Sequence, residues 1–166
     1  MSYPDPVYHG ERGEVSATLR SVTTPPDFVS PAGTRAHYLA TGTTTRGRYG
    51  LYRWEMGPRQ GGPGAHFHRT ISEAFHVLSG SVRILDGRRW IDAVPGDFVY
   101  VPEGGIHGFR NVSDEPASML ILFAPGAPRE AYFEGGPGPA GLSEEERAAF
   151  YLRHDNTWVP EADPKA

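Results

Sequence analysis

Residues 65–80 read Ala-His-Phe-His-Arg-Thr-Ile-Ser-Glu-Ala-Phe-His-Val-Leu-Ser-Gly. His66 and His68 are two residues apart, so strand alternation directs both side chains to one face. Glu73 follows His68 by an odd step of five residues. It can join that face only if the chain turns or bulges between residues 69 and 72. The following Ser79-Gly80 suits a tight turn and predicts a hairpin to the next strand.

Short apolar stretches on both sides of this segment alternate with turn residues. In Leu51–Met56, bulky apolar residues alternate with Arg53 and Glu55, which is typical of a half-buried strand. Asp86-Gly87 predicts a second hairpin turn. Further strand-like stretches are 15–22, 81–85, 89–94, 98–101, 106–112 and 118–123, and 41–47 resembles a hairpin loop. The spacing of strands and turns predicts an all-β antiparallel sandwich or barrel.

The C-terminal part follows a different pattern. Residues 143–153 predict one helix, in which Ser143 and Glu146 form a capping-box pattern. We expect this helix to dock outside the sheets. The chain is interpreted as a single domain over residues 1–166, with the barrel at about 45–125.

Composition and charge exclude several classes of protein. The 166 residues include 21 Gly and 16 Pro, which disfavour long helices and exclude a coiled coil or helical bundle. Cysteine is absent, so disulfides and thiolate ligands are excluded. The formal charge of −4 comes with no basic patch, and the strongest apolar run, 119–124, is too short to span a bilayer. We therefore expect no nucleic-acid or membrane partner and, without an evident signal peptide, a cytoplasmic location.

Three histidines and one glutamate suggest metal chemistry. Imidazoles from His66, His68 and His107 with the carboxylate of Glu73 can surround a divalent ion and leave coordination positions open. Two alternatives remain at this point. The first two histidines could be an exposed pair, and Glu73 could pair with an arginine, leaving a three-histidine site. His76 has the opposite strand parity from Glu73 and should face away from the metal. Three further histidines, His9, His37 and His154, are expected to be exposed.

Two sequence motifs carry a resemblance to the cupin superfamily. They are His66-x-His68-x4-Glu73-x6-Gly80 and Gly96-x5-Pro102-x-Gly104-x2-His107-x3-Asn111. The sequence departs from the cupin pattern at Gln60, where the first motif opens with a glycine, although the next residue is Gly61. The resemblance implies a double-stranded β-helix, the jelly-roll barrel. It also implies one divalent transition metal (Fe, Mn, Ni, Co, Cu or Zn) bound inside by His66, His68, Glu73 and His107.

Aromatic residues share faces with the predicted ligands. Tyr52, Trp54, Phe75 and Phe109 are candidate substrate contacts in an apolar cavity that would favour a flat aromatic or polyketide-like substrate. The alternative is that these side chains simply fill the core of the sandwich.

Within the superfamily, residues 95–111 and 126–133 are similar to bacterial quercetinase-like dioxygenases. That resemblance implies cleavage of a flavonol-like or other enolisable substrate by dioxygen, with Glu73 as ligand and catalytic base. Two alternatives stay open: a metal-dependent isomerase, cyclase or lyase of secondary metabolism, and a non-catalytic ligand-binding cupin. A small-molecule substrate is the expected partner, and a homodimer the expected assembly.

Overall fold

Antiparallel strands form most of the regular structure in the computed structural model, which describes residues 2–135 and 142–159. The strands are β1 (Phe28–Val29), β2 (Arg35–Ala40), β3 (Gly50–Met56), β4 (His66–Phe67), β5 (Ser72–Ser79), β6 (Val82–Leu85), β7 (Trp90–Ala93), β8 (Phe98–Val101), β9 (Gly108–Arg110), β10 (Ala117–Ala124) and β11 (Thr157–Trp158). The helices are α1 (Arg129–Gly135) and α2 (Glu144–Arg153). The all-β prediction is confirmed, and the strands form a jelly-roll barrel with a C-terminal helix.

The largest sheet has six strands in the order β1-β2-β3-β10-β5-β8. Its central strand, β10, alternates strictly between buried and half-buried residues, because every second side chain points into the barrel. A three-stranded sheet, β7-β6-β9, provides a second wall, and β11 pairs with β4. Buried side chains from both walls, including Phe75 and Met119 from the large sheet and Ile84 from the small one, form one core.

The turn at Gly80 corrects one prediction. β5 pairs with β10 and β8, whereas β6 pairs with β7 and β9, so Ser79-Gly80 carries the chain between two sheets and closes no hairpin. Gly80 has a φ of 69°, and a Cβ there would lie 2.3 Å from the carbonyl oxygen of Pro116. Only glycine fits this crossing. The second predicted hairpin is confirmed, since β6 and β7 pair directly across residues 86–89.

The ends of the chain give mixed outcomes. The strand predicted at 15–22 is wrong, because residues 2–27 contain no strand in the described structure. The predicted helix is confirmed as α2, and its capping box is present: Glu146 N donates to Ser143 Oγ, and Ser143 N donates to Glu146 Oε2. α2 buries none of its residues fully, as expected for a helix outside the sheets.

The short helix α1 had no counterpart among the predicted elements. Its buried residues are Arg129 and Phe133, and Phe133 packs against the core. Within the described residues, neither helix has the length and apolarity needed to cross a membrane.

Candidate active site

The four predicted ligands lie together inside the barrel. His66 belongs to β4, Glu73 to β5, and His107 directly precedes β9. The backbones of His66 and His107 form an antiparallel bridge, each N–H donating to the other carbonyl over 2.9 Å. One ligand atom from each of His66, His68, Glu73 and His107 lies within 4.8 Å of the others. The two motifs therefore meet at one point.

The odd spacing between His68 and Glu73 is resolved by a break in the strand. β4 ends at Phe67 and β5 begins at Ser72, so the intervening residues form the predicted turn. The carbonyl of His68 accepts a 2.7 Å hydrogen bond from the N–H of Gly104, which holds the two motifs together. The turn restores Glu73 to the same interior face as the histidines.

Each of the three imidazoles is oriented by a backbone carbonyl. The Nδ1 atoms of His66, His68 and His107 lie 2.8, 2.5 and 2.9 Å from the carbonyl oxygens of Gly64, Asp155 and Gly105. A carbonyl can only accept, so each Nδ1 carries a proton, and each Nε2 is the ring atom that can bind a metal once its own proton is lost. A spread of at most 4.8 Å is close to the ~4 Å between two ligands on opposite sides of one ion. This buried cluster of three histidines and one glutamate suits a divalent metal.

Burial and charge set the protonation of the cluster. All four side chains are at most 3% exposed. Burial, reinforced by His107, lowers the pKa of His66 to about 3, so that this imidazole is neutral. Burial alone would raise the pKa of Glu73, but contacts with His107 and His68, at 2.7 and 3.1 Å from Oε2, hold it below its usual range. Glu73 is therefore an anion that a cation can bind directly.

A cavity of about 450 Å³ opens onto the cluster, within the size range of small-molecule sites. Its lining includes His66 and Glu73 together with seven aromatic residues: Phe28, Trp54, Phe109, Phe123, Tyr132, Phe133 and Trp158. A second cleft, of about 430 Å³, contains none of the four ligands. The ligand cluster thus shares a wall with an apolar, aromatic cavity.

The four aromatic residues predicted to contact substrate divide into two pairs. Trp54 and Phe109 line the cavity, with their rings edge to face at 6.4 Å. Tyr52 and Phe75 are fully buried in the core and do not line it. Tyr52 instead donates to Glu130 over 2.6 Å. For these two residues the core interpretation describes the structure.

Several cavity residues were missed by the sequence reasoning. Arg129, Tyr132 and Phe133 belong to α1, and Trp158 to β11, where it pairs with His66. The spacing of three and four residues within 129–133 is a helical signal that could have indicated α1. No local pattern places Trp158 beside His66.

The remaining histidines mostly follow expectation. His76 lies outside the cluster and is half-buried, and His9 is exposed, as predicted. The expected exposure of His37 is wrong: it is 5% exposed, with Nε2 3.1 Å from an Arg53 nitrogen and 3.4 Å from Glu55. His154 is partly buried and packs 4.6 Å from the Phe150 ring, so its expected exposure is also wrong.

Residues 52–123 match Cupin_2, the cupin domain family. The matched segment of the barrel is a cupin domain. Among curated proteins, none matches the sequence significantly. The match spans both motifs and all four candidate ligands, and it agrees with the barrel topology.

Solved cupin structures share this fold. The polyketide cyclase RemF from Streptomyces resistomycificus has a TM-score of 0.56 at 20% identity, covering 90% of this chain and 96% of that one. A predicted oxalate decarboxylase from Thermotoga maritima has a TM-score of 0.59 at 17% identity, and the match covers 66% of this chain and 99% of that one. A sugar phosphate isomerase from Silicibacter pomeroyi has a TM-score of 0.50 at 24% identity, and the match covers 63% of this chain and 67% of that one. The names of these cupins describe different reactions, so the likeness establishes the fold alone.

Proposed function

We propose that this cupin is a metal-dependent enzyme acting on a flat, enolisable aromatic or polyketide-like molecule. One observation carries the proposal: the buried cluster of three histidines and one glutamate forms part of the wall of an aromatic cavity. A ring held between aromatic side chains would present an enol hydroxyl to the cluster. The cavity is large enough for a molecule of a few fused rings.

The residues of the cluster have separable roles in this proposal. His66, His68 and His107 would hold the ion through Nε2, and Glu73 would be both ligand and proton acceptor. A divalent transition metal supplies Lewis acidity, which lowers the pKa of a hydroxyl bound to it. Glu73 is ionised and adjacent, so it can accept that proton as a general base. Trp54 and Phe109 pack against the substrate ring and exclude water.

For the reaction itself we propose a dioxygenase, in keeping with the similarity of residues 95–111 and 126–133 to quercetinase-like enzymes. The electron-rich enolate reduces dioxygen, both oxygen atoms enter the product, and a carbon–carbon bond of the ring breaks. The substrate supplies all the electrons, so no external reductant is required.

A second candidate is an isomerase or cyclase that uses the same enolate without oxygen. It is favoured by the guanidinium of Arg129, a buried cation in the cavity lining that can stabilise an anion without redox chemistry. The non-catalytic alternative needs only the cavity. The three functions differ in what they consume and release.

The test uses untagged protein loaded separately with Fe²⁺, Mn²⁺, Ni²⁺, Co²⁺, Cu²⁺ and Zn²⁺. Oxygen uptake and product mass are measured with quercetin and with a cyclic 1,3-diketone. An anaerobic arm follows deuterium exchange at the enolisable carbon by NMR. His76→Ala is the matched control, because it removes a histidine from the same strand outside the cluster.

We expect oxygen uptake in the wild type and in His76→Ala, with loss in His66→Ala and Glu73→Gln. Exchange or conversion without oxygen uptake would select the isomerase or cyclase. Metal binding without exchange, uptake or conversion for either compound would contradict the catalytic proposal and leave a ligand-binding cupin.

The homodimer predicted from the sequence stays a prediction. Sedimentation velocity of the metal-loaded protein measures it directly: a mass near twice the 18.2 kDa of the chain is expected.

A further inference from the structure

Arg129 is a deeply buried arginine on the wall of the cavity. It begins α1, is 3% exposed, and lines the cavity together with Glu73 and His66. Its guanidinium lies over three aromatic rings, 4.9 Å from Phe123, 4.4 Å from Tyr132 and 5.8 Å from Phe133. The positive charge is thus held in a mostly aromatic enclosure, and the Glu73 carboxylate on the same wall attracts it.

The guanidinium has almost no polar partner within the described residues. Nη1 donates to the carbonyl oxygen of His154 over 2.7 Å, and this is its only hydrogen bond there. Nε is buried without a partner, and in the part of the chain that the structure describes no carboxylate lies within ion-pairing distance of the group. Burying a charge in this way is unfavourable unless something pairs with it.

Two other arginines of the same chain show what this edge of the group normally does. Nε and Nη2 of Arg59 donate to the two carboxylate oxygens of Asp114 over 2.6 and 2.9 Å. Arg83 donates to Asp92 in the same way over 2.7 and 2.9 Å. This paired geometry matches the two oxygens of a carboxylate. In Arg129 the same edge has no partner among the described residues, while Nη1 and the rings hold the group in place.

We propose that Arg129 binds an acidic group of the substrate, a carboxylate or an ionised phenol oxygen, through its Nε and Nη2 edge. The proposal rests on the proposed function and narrows its substrate class to aromatic or polyketide-like acids. The metal cluster takes one oxygen function of the molecule, and Arg129 takes a second, anionic one.

A purely structural role makes a different prediction. If Arg129 only joins α1 to the carbonyl of His154, its loss will lower stability and weaken all aromatic ligands alike. If it binds an anion, its loss will remove the discrimination between a charged ligand and a neutral ligand of the same shape. Charge preference is therefore the deciding readout.

The test compares 2-naphthoate with its neutral isostere 2-naphthamide by isothermal titration calorimetry. Wild type, Arg129→Met, Arg129→Gln and Arg129→Lys are titrated, each loaded with Co²⁺ and again after chelation. The chelated arm removes the carboxylate's other possible partner, the ion. Arg110→Met is the matched control: Arg110 also stacks on a ring, 4.0 Å from that of Trp90, and also has an unpartnered Nε, but it lies outside the cavity lining.

We expect the wild type and Arg110→Met to prefer 2-naphthoate at least about tenfold in both arms, the factor that about 1.4 kcal/mol of charge-assisted hydrogen bonding supplies. Arg129→Met and Arg129→Gln should lose the preference, and Arg129→Lys should keep part of it, because lysine retains charge without the paired geometry. Arg129→Gln and Arg129→Lys keep a polar head, so they decide the matter if Arg129→Met does not fold. The proposal is overturned if the wild type does not prefer 2-naphthoate to 2-naphthamide, or if Arg129→Met or Arg129→Gln keeps that preference.

The two proposals fail separately. If the chain binds no metal yet prefers 2-naphthoate through Arg129, the enzymatic proposal fails and the anion site stands. If metal binds and turnover occurs but neutral Arg129 variants keep the preference, the anion site fails and the enzymatic proposal stands.

Discussion

The Nδ1 of His68 donates to the backbone carbonyl of Asp155, 87 residues later in the chain, over 2.5 Å. Asp155 itself has a φ of 53°, and its carboxylate accepts hydrogen bonds from the N–H groups of Arg69 and Thr70 and from the Thr70 hydroxyl. The segment after α2 thus orients a candidate metal ligand and also holds the turn that follows it. The C-terminal extension is part of the site.

Asp155→Ala should weaken metal binding although Asp155 is not a ligand. Its side chain holds residues 69–70, and its position sets the carbonyl that orients His68. Loss of such outer partners typically costs about 10–100-fold in metal affinity, so we expect a rise of that size in the dissociation constant. Competition titration with a chromophoric chelator measures it.

Asp114→Ala is the control for that experiment, because Asp114 pairs with Arg59 on the surface. Its metal affinity should equal that of the wild type. Equal affinities in both variants would show that the contact between Asp155 and the turn does not position His68.

Metal loading should stabilise the fold, because the buried anion of Glu73 and three imidazole lone pairs gain a partner. At a free metal concentration about 100 times the dissociation constant, the gain is about 2.7 kcal/mol, or about 5–10 °C in Tm. Differential scanning calorimetry with and without a chelator measures the shift. His107→Ala should lose the shift and His76→Ala should keep it, whereas a shift retained by His107→Ala would place the metal elsewhere.

The two classes of aromatic residue should respond differently to truncation. Phe75→Ala removes a fully buried core ring and should lower the free energy of unfolding by about 3–5 kcal/mol. Trp54→Leu changes the cavity wall, so we expect a smaller loss of stability and a weaker affinity for 2-naphthoate. Urea unfolding and calorimetric titration separate the effects. A larger loss of stability in Trp54→Leu than in Phe75→Ala would reverse the assignment of core and cavity.

Gly80→Ala should be strongly destabilising because of where the chain crosses between sheets. Positive φ costs a non-glycine residue about 1–2 kcal/mol, and the new Cβ would also collide with the Pro116 carbonyl at 2.3 Å. Gly96 has a φ of 97° with open space around it, so Gly96→Ala shows the backbone effect alone. Chemical unfolding should find Gly80→Ala the less stable of the two, and equal stabilities would remove the steric argument.

Features that neighbouring residues encode could be predicted from the sequence. Strand alternation placed His66 and His68 on one face, and the odd step to Glu73 required the turn at 69–72. The capping-box pattern at Ser143 indicated the start of α2. The motif spacings added His107 through the resemblance to cupins. Each of these signals depends on periodicity or on residues a few positions apart, which is why a single sequence contains them.

Tertiary packing, and no local pattern, governs how distant segments meet. It places β6 in a different sheet from β5, although a glycine turn joins them. It buried His37 beside Arg53 and Glu55, and it brought Arg129 to the cavity wall. It also placed the Asp155 carbonyl on His68 across 87 residues. Such contacts arise from packing between elements far apart in the chain, and no local pattern records which surfaces will meet.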